Sequence, residues 1–154
     1  GGTAEAVLRT LYKNLMGKDM TNPKLSKLRG AKHFKELSSQ VNHHQLNVAS
    51  VSPLKDIREI LADLRNEGSG YHYLEVMACP GGCVNGGGQP FFYGSKTLRN
   101  RFKAVHSIDE KSAVQSSHNN NMVNSFYNKY LGKPYGQNSR RILHTSYTKR
   151  DILL

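Results

Sequence analysis

The chain has 154 residues, of which 37% are hydrophobic and 21% charged, and its formal net charge is +11. That is enough for one domain with one core, too apolar for a disordered segment, and without an apolar run long enough for a membrane span. Residues 1–93 hold 11 Lys/Arg against 8 Asp/Glu, and residues 94–154 hold 11 against 3, so the basic excess lies in the C-terminal part. Such a surface suits an acidic protein or an acidic part of a longer chain. No RNP, zinc-finger or helix-turn-helix signature is present, so neither nucleic acid nor membrane is an expected partner. Two Cys do not make a disulfide scaffold.

The opening GGTAEAVLRTLYK has no basic region followed by an apolar core, so it is not read as a signal peptide. A helical pattern begins at once, with no Met before it, and we read the chain as a piece of a larger domain with material upstream. Val7, Leu8, Leu11, Tyr12 and Leu15 have helical spacing, and Gly17 suits the C-cap. Residues 18–44 are polar and basic, and read as loops with one short helix. Residues 45–52, QLNVASVS, read as a strand. Ser52 and Pro53 then predict a helix entry, as N-cap and first helical residue. Leu54, Ile57, Ile60, Leu61 and Leu64 form one face of that helix, which Gly68 ends. Residues 71–77, YHYLEVM, predict a second strand.

The unit is β-α-β, so the two strands are expected to be parallel. The fold class expected is α/β: a β-α-β unit of a parallel sheet, followed by an all-helical C-terminal extension. In that extension residues 94–106 predict a basic helix and Asp109 an N-cap. Met122, Val123, Phe126, Tyr127 and Tyr130 predict one face of a helix stopped by Gly132, and SRRILHTSY predicts a last short helix.

Directly after the second strand comes EVMACPGGCVNGGGQP, residues 75–90, with both Cys and five of the 14 Gly. Ligands in α/β folds sit beyond the carboxyl ends of parallel strands, where this loop falls. Thiolates at C-x3-C spacing suit an Fe–S cluster, Zn or Cu(I). Zinc would need two further ligands, and the adjacent His43 and His44 would point apart. A redox disulfide more often has C-x2-C spacing, and a glycine turn with two inert thiols is the plain alternative. Gly81, Gly82, Gly86, Gly87 and Gly88 favour a bulky ligand, because they remove side chains and leave backbone N–H groups free to face it.

These residues carry a resemblance. The loop is similar to the last signature motif of the [FeFe]-hydrogenases, E-x-M-x-C-x-x-G-C-x-x-G-G-G-Q-P, at every fixed position: Glu75, Met77, Cys79, Gly82, Cys83, Gly86, Gly87, Gly88, Gln89 and Pro90. GGTAEAVLRTLY resembles the family's G-G-V-M-E-A-A-L-R-T-A-Y helix. IDEKSAVQSSHNN, YNKYLGKP and ILHTSY resemble the helical piece that forms a separate small subunit in some members. The resemblance implies residues 1–93 as the C-terminal part of the large-subunit domain and residues 94–154 as a small-subunit-like region.

It further implies a [4Fe–4S] cluster bridged to a diiron subsite with CO, cyanide and a dithiolate. Cys79 would be a cubane ligand and Cys83 the bridging ligand. Met77 and the five glycines would line the cofactor, and Glu75 would make a structural hydrogen bond. The reaction implied is reversible reduction of protons to H2 with electrons from ferredoxin or a similar carrier. No catalytic residue is assigned beyond the ligands. The compartment implied is the cytoplasm of an anaerobe or the hydrogenosome of an anaerobic eukaryote.

Two earlier family motifs, T-S-C-C-P and M-P-C-x-x-K, are not in these 154 residues. They supply the other cubane ligands, so this piece by itself is expected to be inactive, with the upstream part as its partner and room there for accessory Fe–S clusters. The alternative is a hydrogenase-like Fe–S protein of cytosolic cluster assembly or nuclear lamina binding, without H2 activity. Glu5 and Glu110 read as surface carboxylates, and His106, His118 and His144 as packing or hydrogen-bonding side chains. Asn119 and Asn121 replace the family's usual Glu and Pro at a helix start.

Overall fold

The computed structural model describes residues 2–20, 22–30, 32–66, 70–90 and 94–148. The chain forms two compact units, residues 1–115 and 116–154. Among the described residues no helix is long and apolar enough to cross a membrane.

In the first unit, helix α1 (Gly2–Met16) ends as its sequence predicts. Gly17 takes a left-handed φ of +68°, and its amide donates to the Lys13 carbonyl at 2.9 Å. The buried stripe of α1 differs from the apolar one: Ala4, Glu5, Leu8, Arg9 and Tyr12 face inward, while Leu15 is exposed. A 3-10 segment, Asn22–Leu28, follows and buries Leu25 and Leu28.

Strand β1 (Phe34–Val41) occupies part of the stretch expected to be loop. It forms an antiparallel hairpin with β2 (His44–Val51), in register from Phe34 opposite Val51 to Val41 opposite His44. The inward positions of β1 include Lys35 beside Leu37 and Val41, so its sequence lacks the apolar alternation that marks a half-buried strand. Asn42 makes the tight turn with φ +53°, and its side chain donates to the Leu15 carbonyl at 3.0 Å.

Strand β3 (Tyr73–Val76) pairs parallel with β2, Val48 opposite Tyr73 through Val51 opposite Val76, so the sheet order is β1-β2-β3. The expected β-α-β unit is therefore present. β2 is its central strand, and Val48, Ala49, Ser50 and Val51 are all buried, as for a strand covered on both faces. The core joins α1, the 3-10 segment and the hairpin through Ala4, Leu8, Tyr12, Leu25, Leu28 and Val48.

The helix entry after β2 corrects the sequence reading. Ser52 is buried, and its amide donates to the His33 carbonyl at 2.8 Å, so it prolongs the sheet instead of capping a helix. The Ser52–Pro53 peptide is cis, and Pro53 remains extended before a 3-10 turn, Leu54–Asp56. Helix α2 (Ile57–Arg65) starts only after that turn. Of its predicted apolar face Ile60 is buried, whereas Leu54, Leu61 and Leu64 are exposed. Gly68, its expected end, lies outside the described residues.

Helix α3 (Ser95–Lys111) completes the first unit. Asp109 lies inside its last turns and does not cap a following helix; two arginines engage it, as shown below.

The second unit is helical. It contains a 3-10 turn, Ser117–Asn119, helix α4 (Asn121–Phe126), a π-helical turn, Tyr127–Leu131, and helix α5 (Gln137–Leu143). Asn120 caps α4, its side-chain oxygen accepting from the Met122 and Val123 amides at 2.9 and 3.3 Å. Gly132 stops the π turn with φ +72°. Leu131 is buried there, but Met122, Phe126 and Tyr130 of the predicted apolar face are exposed. The unit is too small to cover that face itself.

Candidate metal centre

The cysteine loop leaves β3 at the carboxyl end of the parallel pair. The Met77 amide extends the ladder by donating to the Val51 carbonyl at 2.9 Å. The chain then turns on itself. The Gly82 amide donates to the Cys79 carbonyl at 2.9 Å, and a 3-10 turn, Gly82–Asn85, carries Cys83. Further bonds close the turn: the Gly86 amide to the Cys83 carbonyl at 3.3 Å, and the Asn85 side chain to the Pro80 carbonyl at 3.0 Å. Cys79 is half-buried and Cys83 exposed, and both are free thiols.

Two glycines sit tightly against neighbouring side chains. Gly82 has φ +74°, and a Cβ there would stand 2.8 Å from Met77 Sδ. A Cβ on Gly86 would stand 3.3 Å from Cys79 Sγ. Gly81 has φ +78° and faces Leu98, and Gly88 has φ +88° with open space around it. Gly87 has neither constraint. Gly82→Ala is therefore expected to destabilise the loop by about 1–2 kcal/mol from the left-handed backbone alone, with the Met77 clash added. Gly87→Ala should leave stability within about 0.5 kcal/mol of wild type. Thermal unfolding of the two variants side by side checks this, and equal midpoints would contradict it.

A cavity of about 420 Å³ adjoins the turn. Met77, Gly81, Gly82 and Cys83 line one side of it. Glu5, Arg9, Lys35, Glu75, His106 and Asp109 also line it. Gly86, Gly87 and Gly88 do not, so the structure brings together one cysteine, Met77 and the first glycine pair. His43 and His44 stand exposed at the hairpin turn. Among the described residues no group of three or more His, Cys, Asp or Glu side chains could hold a metal ion.

The charged wall of the cavity was not foreseen. Glu5 is buried, which corrects its reading as a surface carboxylate. Arg29 donates to both Glu5 oxygens, at 3.2 and 2.9 Å, and to Asp109 Oδ2 at 2.6 Å. It also reaches Glu110 Oε1 at 3.1 Å, and Glu110 itself remains exposed. Arg9 holds Asp109 with a two-pronged pair at 3.2 and 2.9 Å and donates to the Gln115 carbonyl. Glu75, buried on β3, accepts from the Ala4 amide in the first turn of α1 at 3.4 Å, a helix end that favours a carboxylate.

Lys35 is 5% exposed, its ammonium 3.4 Å from the Gly30 carbonyl and 5.9 Å from the Phe102 ring centroid. Burial pushes its pKa down, against the attraction of Glu75 and Glu5. The His106 ring stacks on Phe102 at 6.1 Å, and burial, followed by the nearby Arg29 charge, pushes its pKa down.

The Arg9 guanidinium, seconded by Arg29, holds the Asp109 carboxyl below the ordinary carboxylate range, although burial opposes this. A depressed folded-state pKa means stability that is complete above the unfolded value, about 3.9, and lost as pH falls through the folded one. The thermal midpoint is expected to drop below about pH 4. Asp109→Asn should flatten that part of the profile, and an Asn variant with the same acid slope would show that other groups carry it.

The donor set fits an iron–sulfur group. Two soft thiols sit on one turn, Gly82 and Gly86 let Met77 and Cys79 pack closely on its backbone, and space opens beside Cys83. Two thiolates are fewer than the four that hold a cubane, so these residues would be part of the ligand set.

The chain is similar to known proteins. Residues 1–87 match the family "Iron only hydrogenase large subunit, C-terminal domain", and residues 95–150 match "Iron hydrogenase small subunit". The NADP-reducing hydrogenase subunit HndD of Solidesulfovibrio fructosivorans is 36% identical over 99% of this chain and 26% of its own length. A probable cytosolic Fe-S cluster assembly factor of Drosophila willistoni is 31% identical over 96% of the chain and 31% of its own. The structure of apo [FeFe]-hydrogenase HydA1 from Chlamydomonas reinhardtii superposes with a TM-score of 0.76 at 28% identity, covering 94% of this chain and 43% of that one. The chain thus spans between a quarter and a third of the length of these curated relatives.

Proposed function

The chain belongs to the iron-only hydrogenase large-subunit family, and from that premise we propose that it is the C-terminal part of an [FeFe]-hydrogenase that reversibly reduces protons to H2 with electrons from ferredoxin. The observation that carries this reading is the pair of free thiols on one glycine turn, at the carboxyl end of β3, with a cavity beside Cys83 and Met77. Cys79 would ligate a [4Fe–4S] cluster and Cys83 would bridge it to a diiron subsite. When bound, that group supplies the electron transfer and proton reduction.

This chain's residues hold and shield the group. Gly82 and Gly86 permit the close approach of Met77 and Cys79, and Met77, half-buried, limits water on one side. Gly81, Gly87 and Gly88 would leave backbone amides free to face the cofactor. Residues 1–93 would belong to the large-subunit domain and residues 94–154 to the small-subunit-like region. The remaining ligands would come from an upstream part, so these 154 residues would be inactive alone. Lys96, Arg99 and Lys103 are exposed on α3 and would suit an acidic carrier such as ferredoxin.

A second reading is an Fe–S protein of the assembly type without H2 activity, favoured by the likeness to the Drosophila willistoni assembly factor. Anaerobic maturation of the whole parent protein separates the two. Gas chromatography with a reduced viologen is expected to detect H2, and infrared spectroscopy to detect CO and cyanide bands. A cubane signal without either would overturn the hydrogenase reading and support the second.

A further inference from the structure

The glycine loop is a poor holder of its own shape. Gly loses more backbone entropy on ordering than other residues, so a glycine-rich loop is costly to hold in one shape. The bonds described above close short turns inside the loop and do not tie residues 84–90 to the rest of the fold. Helix α3 supplies such a tie. Leu98 packs on Gly81, where a Cβ would lie 3.4 Å from its Cδ2. Arg101, three residues on and so on the same helix face, reaches across the loop. Its Nη1 donates to the Val84 carbonyl and its Nη2 to the Pro90 carbonyl, each at 3.3 Å.

One planar guanidinium thus spans both limbs of the turn that carries Cys83 and the triple glycine. Lysine, with a single ammonium, lacks that fork. The other end of α3 is held by Asp109 in the Arg9 and Arg29 pairs. The helix is therefore a strut anchored on α1 and braced on the cysteine loop.

We infer that Arg101 is a positioning residue: it pins both limbs of the loop and so fixes where the Cys83 thiol stands. This rests on the reading of the loop as a cluster holder, although the pinning itself can be judged without the cluster. The guanidinium also places a positive charge beside the loop, which favours the more reduced, more negative state of an Fe–S group.

The test compares Arg101→Gln and Arg101→Lys with wild type in the full-length parent. Hydrogen exchange is followed with the iron removed by a chelator, and the midpoint potential of the cubane with the iron in place. Losing two side-chain-to-backbone bonds predicts roughly tenfold faster exchange at the Gly86 and Gln89 amides. The β2 amides should exchange as in wild type. Arg101→Lys should loosen the loop as Gln does, yet keep the potential nearer wild type, whereas Arg101→Gln shifts it negative. Wild-type exchange at Gly86 and Gln89 in the Gln variant would overturn the proposal. Should Gln loosen β2 as well, the Lys variant decides by the same criterion. A wild-type parent that binds no iron would instead defeat the cluster reading, and the exchange result would still judge the pinning.

Discussion

Replacing Cys83 with Ala in the full-length parent is expected to remove the infrared bands of CO and cyanide and to abolish H2 evolution, while the fold survives. Cys83 is exposed, so the substitution should change folding stability by less than about 0.5 kcal/mol. The effect on the metal centre should be far larger. Removing a group that merely orients a metal ligand already costs about 10–100-fold in affinity or activity. Removing a thiolate ligand should exceed that range. Cys79→Ala should also lose the cubane signal, since the reading gives it only to the cubane and gives Cys83 to both parts. The comparison needs iron and sulfide analysis, electron paramagnetic resonance and thermal unfolding on each variant. If either variant keeps the wild-type iron content, its cysteine is not a ligand. If Cys83→Ala unfolds, the exposed position assigned to it is wrong.

Arg29→Met is expected to destabilise the first unit by about 3–5 kcal/mol, the range for breaking a buried ion pair from one side. The Arg29 side chain is 10% exposed and bonds three carboxylates, Glu5, Asp109 and Glu110. Without it Glu5 and Asp109 confront one another across Arg9, which pairs with both. A whole domain is stable by about 5–15 kcal/mol, so this one change removes a large part of it. Arg29→Lys should fall in between, because an ammonium keeps the charge and loses the fork. Adding Glu5→Gln to Arg29→Met should recover part of the loss, since one uncompensated carboxylate is then neutral. Urea unfolding measures all of these. An Arg29→Met variant within 1 kcal/mol of wild type would mean that the network is hydrated and weak.

These two expectations differ in how far the sequence reaches. The cysteine loop is contiguous, and its chemistry lies in residue types at fixed spacing. Cys79, Cys83, Met77 and the glycines are therefore legible in the sequence itself. The β-α-β unit was legible because its strands and α2 carry local periodicity, and Gly17 because a helix stop is a local event. β1 was not legible, because Lys35 takes an inward position that local pattern assigns to an apolar residue. The helix after β2 was misplaced because Ser52 is committed to the sheet.

Residue types, spacing and periodicity by themselves determined the thiol turn and the parallel strands that present it, and the resemblance of the whole motif pointed to the family that the chain matches. The ion network behind the turn was decided only by tertiary structure. Arg29 meets Glu5 from 24 residues away and Asp109 from 80, and Arg9 meets Asp109 from 100. On a sequence each of these charges looks solvated, since a charge is normally buried only with a partner. Folding alone supplies that partner, by closing loops that no local pattern records.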